Sequence, residues 1–257
     1  MILELLLEHP QGLQQTEIAS RLGCSKTSVY RISMTLMEYG YLVRDEETKT
    51  LRLSRKLVAL GSRSLGEEDL TTLSVDVMRR LRDEVGETVL IGTVVETELV
   101  VLGQVLGSHH FKFSVDLGTR LPLHSAAPGK AILAWLPEDE RRRLMALLPF
   151  NRFNERTICD PAEYARELDR VVAAGYAVDC GEQLSGIHCV SAPVFDRHGS
   201  PIAAIWTTGP SERIRRSDFA EVGARVVQQA RRISERLGYG VMGLIRNGSS
   251  SEENASK

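Results

Sequence analysis

Thr16-Glu17-Ile18-Ala19-Ser20-Arg21-Leu22-Gly23-Cys24-Ser25-Lys26-Thr27-Ser28-Val29-Tyr30-Arg31 is the stretch that decides the N-terminal architecture. Thr16 reads as a helix cap, with Glu17 in the first turn complementing the exposed amides. Ile18 and Leu22 lie four apart and share a buried face. Gly23 suits the left-handed residue that stops a helix. Ser25 reads as the cap of the next helix, which the spacing carries to about Tyr39, before Gly40. Val29, Ile32 and Leu36 are expected to form its inward stripe. A helix-turn-helix requires a tight turn, a small residue at the crossing and a polar outer face on the second helix. Gly23 and Cys24 supply the turn, Ala19 the small contact, and Lys26, Thr27, Ser28, Tyr30 and Arg31 the outer face. Ser25 and Lys26 stand where amides and positive charge converge on a phosphate. Arg31 has the geometry for a guanine edge or for a phosphate, and both readings stay open.

Upstream, Ile2–Glu8 has helical spacing and ends at His9-Pro10. Downstream, Tyr41–Val43 and Thr50–Leu53 read as two strands joined by the polar tip Asp45–Lys49. Helix, helix, turn, helix and hairpin make a winged helix-turn-helix over residues 1–54. Lys49 and Arg52 on the wing are expected to add contacts to a nucleic-acid backbone. The chain's formal net charge of −2 does not favour nucleic acid. The local distribution does: Lys49, Arg52, Arg55, Lys56 and Arg63 follow one another without an acid, as do Arg21, Lys26 and Arg31.

Residues 55–69 read as a linker helix and hinge. Leu70–Val85 reads as an amphipathic helix, and Thr88–Val95 with Leu99–Leu106 as a β-hairpin. Helices are expected near Pro128–Leu136, Pro137–Leu148 and Pro161–Ala174. Strands are expected at Ile187–Phe195 and Ile202–Thr208, with a closing helix at Ser217–Leu237. Residues 70–245 thus form an α/β sensor-type domain on a largely antiparallel sheet, which makes the whole chain α+β. The tail 246–257 is polar and is expected to be disordered.

The 257 residues contain no apolar run near the roughly 20 needed to span a bilayer. Met1–Leu7 is too short for a secretory signal, so the expected place is the cytoplasm. Cys24, Cys159, Cys180 and Cys189 form no CxxC pair and read as reduced thiols. Cys180, His188, Cys189 and His124 have no standard zinc spacing, so no metal and no cofactor are expected. Gly129-Lys130 is not a phosphate loop, because no glycine lies five residues earlier and Ala131 replaces the Ser or Thr. The Ala127–Lys130 segment reads instead as an anion site, with Pro128 opening a helix, Gly129 admitting a ligand to the backbone and free amides facing it. The alternative function is a cysteine-dependent hydrolase, with Cys189 as nucleophile, His124 or His188 as base and Asp179 orienting it. If His188 and Cys189 share a strand they point to opposite faces, which leaves only His124. No oxyanion motif accompanies the cysteine, so no catalytic residue is assigned. An architectural DNA binder is a third reading, but it leaves the larger domain only an oligomerising role.

Thr16–Ala19, Ser25–Arg31 and Gly40-Tyr41-Leu42 together resemble the winged helix of IclR-type regulators. Leu121–Ala131, Gly175-Tyr176, Gly186–Phe195 and Gly209-Pro210 resemble that family's later motifs, in order, so the likeness runs from Ile2 to about Gly238. The resemblance implies a GAF/profilin-like effector-binding domain behind the DNA-binding one. It implies a bacterial regulator, a repressor more often than an activator, that binds double-stranded operator DNA as a homodimer or homotetramer and answers to a small organic acid. It carries the family's pocket positions onto Ala127, Pro128, Asp179, Cys189, Trp206 and Thr208, with Gly129 beside them. Pro128 has no N–H to offer an acid. Trp206 stands where a small polar residue would suit a compact acid, and it either stacks on an aromatic effector or fills the cavity itself. An aromatic or larger acid therefore ranks ahead of one with two or three carbons. The first helix is about a turn shorter than is usual in the family, which points to a start upstream of Met1.

Overall fold

The first unit is held by one small core built from every element of the expected winged helix. The computed structural model describes residues 1–58, 60 and 70–240, and the chain divides into two compact units after Leu70. In the first, α1 is Ile2–Leu7, α2 Gln15–Leu22 and α3 Lys26–Glu38, followed by β1 Leu42–Arg44 and β2 Leu51–Leu53. The two strands pair antiparallel with Leu42 opposite Leu53. Leu6, Ile18, Ala19, Val29, Leu42 and Leu51 form the core.

Two local expectations need correction. The cap of α2 is Gln14 and not Thr16, because the Glu17 carboxylate accepts the Gln14 N–H at 2.7 Å and so fixes the helix start two residues earlier. On α3, Val29 and Leu36 face the core as expected, but Ser33 at 0% exposure joins them in place of Ile32, which is 50% exposed. Residues four apart stack on one face of a helix, and the position three after Val29 rotates away from α2 and β1, which cover this face. Gly23 stops α2 at φ 62°, in the left-handed region. Ser25 caps α3 by accepting the Ser28 N–H at 3.1 Å.

The second unit opens with α4, Leu70–Val85, and continues with β3 Thr88–Val95, β4 Glu98–Val105 and β5 Arg120–Pro122. Then come α5 Ala127–Leu133, α6 Glu138–Met145, α7 Pro161–Ala174, β6 Ala177–Asp179, β7 Ile187–Phe195, β8 Pro201–Pro210 and, after a 3-10 turn, α8 Phe219–Arg236. The six strands lie in the order β5-β4-β3-β8-β7-β6, every pair antiparallel. Together with the helical first unit, this makes the molecule α+β. One face of the sheet carries α5 and α7 over a core that includes Leu90, Leu123, Leu133, Tyr164, Leu168 and Trp206. The other face carries α8, which runs along β7 and β8. Arg236 ties α8 to α4 by donating through both terminal nitrogens to Asp76, at 2.6 Å each.

Strands β5 and β6 had no counterpart in the sequence reading. Each has three residues, too few to show an alternation, and each is recruited by a longer neighbour. The linker and hinge expected at 55–69 lie largely outside the described residues, and the tail expected at 246–257 lies wholly outside them.

The seat of α5 is the tightest point of the second unit. A Cβ on Gly129 would stand 2.4 Å from the Leu123 carbonyl oxygen and 2.6 Å from its Cα. Both obstacles are backbone and cannot rotate away. Gly129→Ala is expected to cost about 1–3 kcal/mol through overpacking, and to lower the thermal midpoint by roughly 2–12 °C in circular dichroism. Gly118→Ala, where a Cβ meets nothing within 4 Å but φ is +84°, is expected to cost only about 1 kcal/mol of backbone strain.

Candidate functional site

The first unit presents one exposed polar face on α3. Lys26, Thr27, Ser28, Tyr30 and Arg31 are all exposed, and Tyr30 is a large aromatic at 52% exposure. Ser25 and Ser28 are joined through their hydroxyls at 2.9 Å as well as by the cap, so this pair is committed to holding the start of α3. Among the described residues, no ion pair engages Lys26 or Arg31, and this leaves both charges to the solvent face. The wing cations differ. Lys49 reaches Glu46 at 3.0 Å and Arg52 reaches Asp45 at 2.9 Å, so each already has a carboxylate partner. Asp45 shapes the tip by accepting the N–H groups of Glu47 and Thr48. Lys49 itself sits at φ 58°, in the left-handed region.

In the second unit, strand register brings the expected pocket positions together. Asp179 on β6 stands opposite Cys189 on β7, Cys189 opposite Thr208 on β8, and Thr208 opposite Thr88 on β3. Residues directly opposite share a face of the sheet, so one row carries a carboxyl, a thiol and two hydroxyls under α5. The Cys189 thiol donates to the Thr208 hydroxyl at 3.2 Å. Trp206 lies one step along the same face, between Leu90 and Ser191 in the register. Its ring extends over β3, where the missing side chain of Gly92 leaves room: ring carbons lie 3.2 and 3.3 Å from the place a Cβ would take. Trp206 therefore fills space on the β3 side and is 2% exposed. Ala127 and Pro128 begin α5 above this row and are buried. Gly129 needs correction: the close approach it permits is by the Leu123 backbone of its own chain rather than by a ligand.

Sequence reasoning missed the charged centre of this interior. Lys130 on α5 is fully buried and ion-paired to Glu182. Its ammonium also donates to the Val178 carbonyl at 3.0 Å and lies 3.9 Å from Glu167 on α7. Glu167 holds Arg170 at 2.7 Å through its other oxygen. Asp179 Oδ1 accepts the Glu182 N–H at 2.6 Å, closing the turn that carries Glu182 back to Lys130. Burial dominates the titration of both acids. It pushes Glu182 up to about 7 against the pull of Lys130, and it raises Asp179 against the Glu182 amide and Lys130. The Cys189 thiol is likewise pushed well above its ordinary value, first by burial and then by Asp179. One signal pointed to this centre: Lys130 is the lone charge in Ala126–Leu136, an otherwise apolar run that also begins a helix.

The histidines do not join a catalytic set. His188 and Cys189 are neighbours on β7 and point to opposite faces; Nδ1 of His188 lies 2.7 Å from the Ile214 carbonyl, and its ring meets Phe219 of α8. His124 lies under Phe150 and Phe153, with Nε2 2.9 Å from the Asn151 carbonyl. Burial lowers its basicity, against the pull of the Asn151 carbonyl. Cys180, Cys189, His188 and His124 form no metal-binding group of three among the described residues. No helix among those residues is long and apolar enough to cross a membrane.

Comparison with known proteins places both units. A family model described as "Bacterial transcriptional regulator IclR C-terminal" matches residues 62–235, and one described as "IclR helix-turn-helix domain" matches residues 1–46. The chain is 34% identical to the HTH-type transcriptional regulator KdgR of Escherichia coli (strain K12), over 87% of this chain and 85% of that one. It is 28% identical to the transcriptional repressor IclR of the same organism, over 94% of this chain and 88% of that one. The crystal structure of the Thermotoga maritima IclR superposes with a TM-score of 0.69 at 29% identity, covering 93% of this chain and 96% of that one.

The buried ion pair makes a direct test of this geometry. Lys130→Met strands Glu182 and Glu167 without their shared ammonium and is expected to cost about 3–5 kcal/mol of stability in urea unfolding. Adding Glu182→Gln to it is expected to recover part of that loss, because the uncompensated buried charge is then removed.

Proposed function

The chain belongs to the IclR family of bacterial transcriptional regulators, and from that premise we propose that it represses transcription by laying α3 in the major groove of an operator, with a small organic acid in the second unit altering its operator affinity. The observation that carries the DNA half is the outer face of α3, where Lys26 and Arg31 stand exposed beside Thr27, Ser28 and Tyr30 with no acid on them. A recognition helix needs that combination: cations for phosphates, and an Arg or hydroxyl side chain for base edges. Ser25 serves chiefly to hold the helix start. Lys49 and Arg52 act as backbone contacts once their carboxylate partners, Glu46 and Asp45, are outcompeted by phosphate.

The sensing half rests on the polar row Asp179, Cys189 and Thr208 beneath Ala127 and Pro128, with Trp206 closing one side. Gly129 contributes by letting α5 sit against Leu123. The acid is the aromatic or larger kind that the sequence favoured, since Pro128 withholds one amide from a compact carboxylate. The protein works as a homodimer or homotetramer on double-stranded DNA. In this reading residues 1–54 are the DNA-binding domain and residues 70–245 the effector domain. Its relatives are regulators of transcription and not enzymes, and the hydrolase alternative has no support in the site: the thiol of Cys189 is pushed up by burial, the reverse of what a nucleophile needs.

Fluorescence anisotropy with a duplex from the region upstream of the protein's own gene tests the DNA half. The Lys26→Ala/Arg31→Ala double variant is expected to bind about tenfold or more weakly, and to show a shallower dependence on salt by about two phosphate contacts. Equal affinity in the variant and the wild type would remove α3 as the reading helix.

A further inference from the structure

We infer that an organic acid enters the interior beneath α5 together with one proton, which lands on Oε2 of Glu182 and turns that oxygen into a donor for the ligand's carboxylate. This rests on the acid-effector reading above and names residues outside the pocket positions that the family resemblance supplies.

The first support is a hydrogen-bond count. Glu182 is 6% exposed, its Oε1 is held by Lys130, and its Oε2 is buried with no hydrogen-bond partner among the described residues. A buried carboxylate oxygen without a donor is costly as an acceptor, and the same oxygen protonated has a hydrogen to give. The second support is a charge count. Lys130 is the ammonium of this interior; it donates to the Val178 carbonyl and to Glu182 and lies 3.9 Å from Glu167, so two carboxylates already share its charge.

The groups that face Glu182 come from every element around it. On α5 there is Lys130. On α7 there are Glu167, which Arg170 also holds, and Tyr164, kept neutral by burial. Asp179 precedes it on β6, and the partly buried thiols Cys180 and Cys189 feel its charge. His124, its basicity lowered by burial, lies ahead of α5, and Arg156 reaches over Gly181 beside it. Glu167, Asp179 and Glu182 are matched in number by Lys130, Arg170 and Arg156, so a further anion that brings no proton leaves this interior one negative charge in excess. A proton removes that excess, and Glu182 is the acid with an oxygen free to take it. Its titration near 7 places the change within the working range of a cell.

The sign follows from linkage. Above about pH 7 Glu182 is ionised and opposes an acid; as pH falls through 7 it is protonated and accepts one, so acid affinity falls about tenfold per unit above 7. Calorimetric titration of the full chain with propionate, benzoate and phenylacetate between about pH 6 and pH 8 tests this, with the tightest binder carried forward. When phosphate and Tris buffers are compared at pH 8, uptake approaching one proton per site is expected, falling to about a tenth of a proton at pH 6. In Glu182→Gln, which keeps an oxygen for Lys130 and adds an N–H donor, the uptake is expected to vanish. The variant's affinity at pH 8 is expected to approach the wild-type value at pH 6. Acid binding that is independent of pH and takes up no proton overturns the inference and leaves the acid effector standing. Uptake that persists in Glu182→Gln overturns the assignment to Glu182. Failure of all three acids to bind at pH 6 overturns this inference and the acid reading together.

Discussion

A lysine ammonium with no exposed surface must be surrounded by its own chain, and Lys130 imposes that demand on the second unit. Leaving such a charge unpaired would cost several kcal/mol, so the elements that reach it are constrained in position. Helix α7 brings Glu167, the end of β6 brings the Val178 carbonyl, and the turn after β6 brings Glu182. Asp179 fixes that turn by accepting the Glu182 amide, and Thr157 fixes it from the other side by donating to the Glu182 carbonyl at 2.7 Å. Asn154 adds a further strut, donating to the Gly181 carbonyl at 2.8 Å. The loop before α7, the turn after β6 and α5 therefore converge on one charge, and the polar row on the sheet lies beside it.

What could be read from residues alone followed from how local each signal was. The helix-turn-helix was legible because Gly23, Ser25 and the polar run after it act within a few residues of themselves. Helix α7 and strand β7 were legible to the residue for the same reason: Asp160 and Pro161 open the one, and a long apolar run marks the other. The inward position of α3 was not, since nothing within the helix says whether Ile32 or Ser33 faces the wall that α2 and β1 build. Ser33 is buried there although it is polar, a choice made by rotation of the whole helix rather than by the residue. Strands β5 and β6 owe their existence to the edges of β4 and β7, so three residues of sequence could not announce them.

The site divides the same way. Register placed Asp179, Cys189 and Thr208 in one row, and family likeness had already pointed to those positions. Lys130 and Glu182 are 52 residues apart, and neither motif nor spacing joins them. A single charge inside Ala126–Leu136 was the only trace, and it says that a partner must exist without saying which.

Glycine settles how the remaining space is distributed. At Gly129 the place of a side chain is taken by the Leu123 backbone, and at Gly92 by the Val100 carbonyl oxygen at 2.5 Å, with the Trp206 ring next at 3.2 Å. The first brings α5 down onto the segment before it; the second leaves the far edge of the Trp206 indole against the β3 backbone. Laid over Gly92, it walls that row on the β3 side while the acids and Lys130 wall it on the β6 side. The polar row thus has an indole at its β3 end and ionisable groups at its β6 end. The sheet's own register, more than any one pocket residue, sets that polarity, because moving β6 by one residue would turn Asp179 to the face covered by α8.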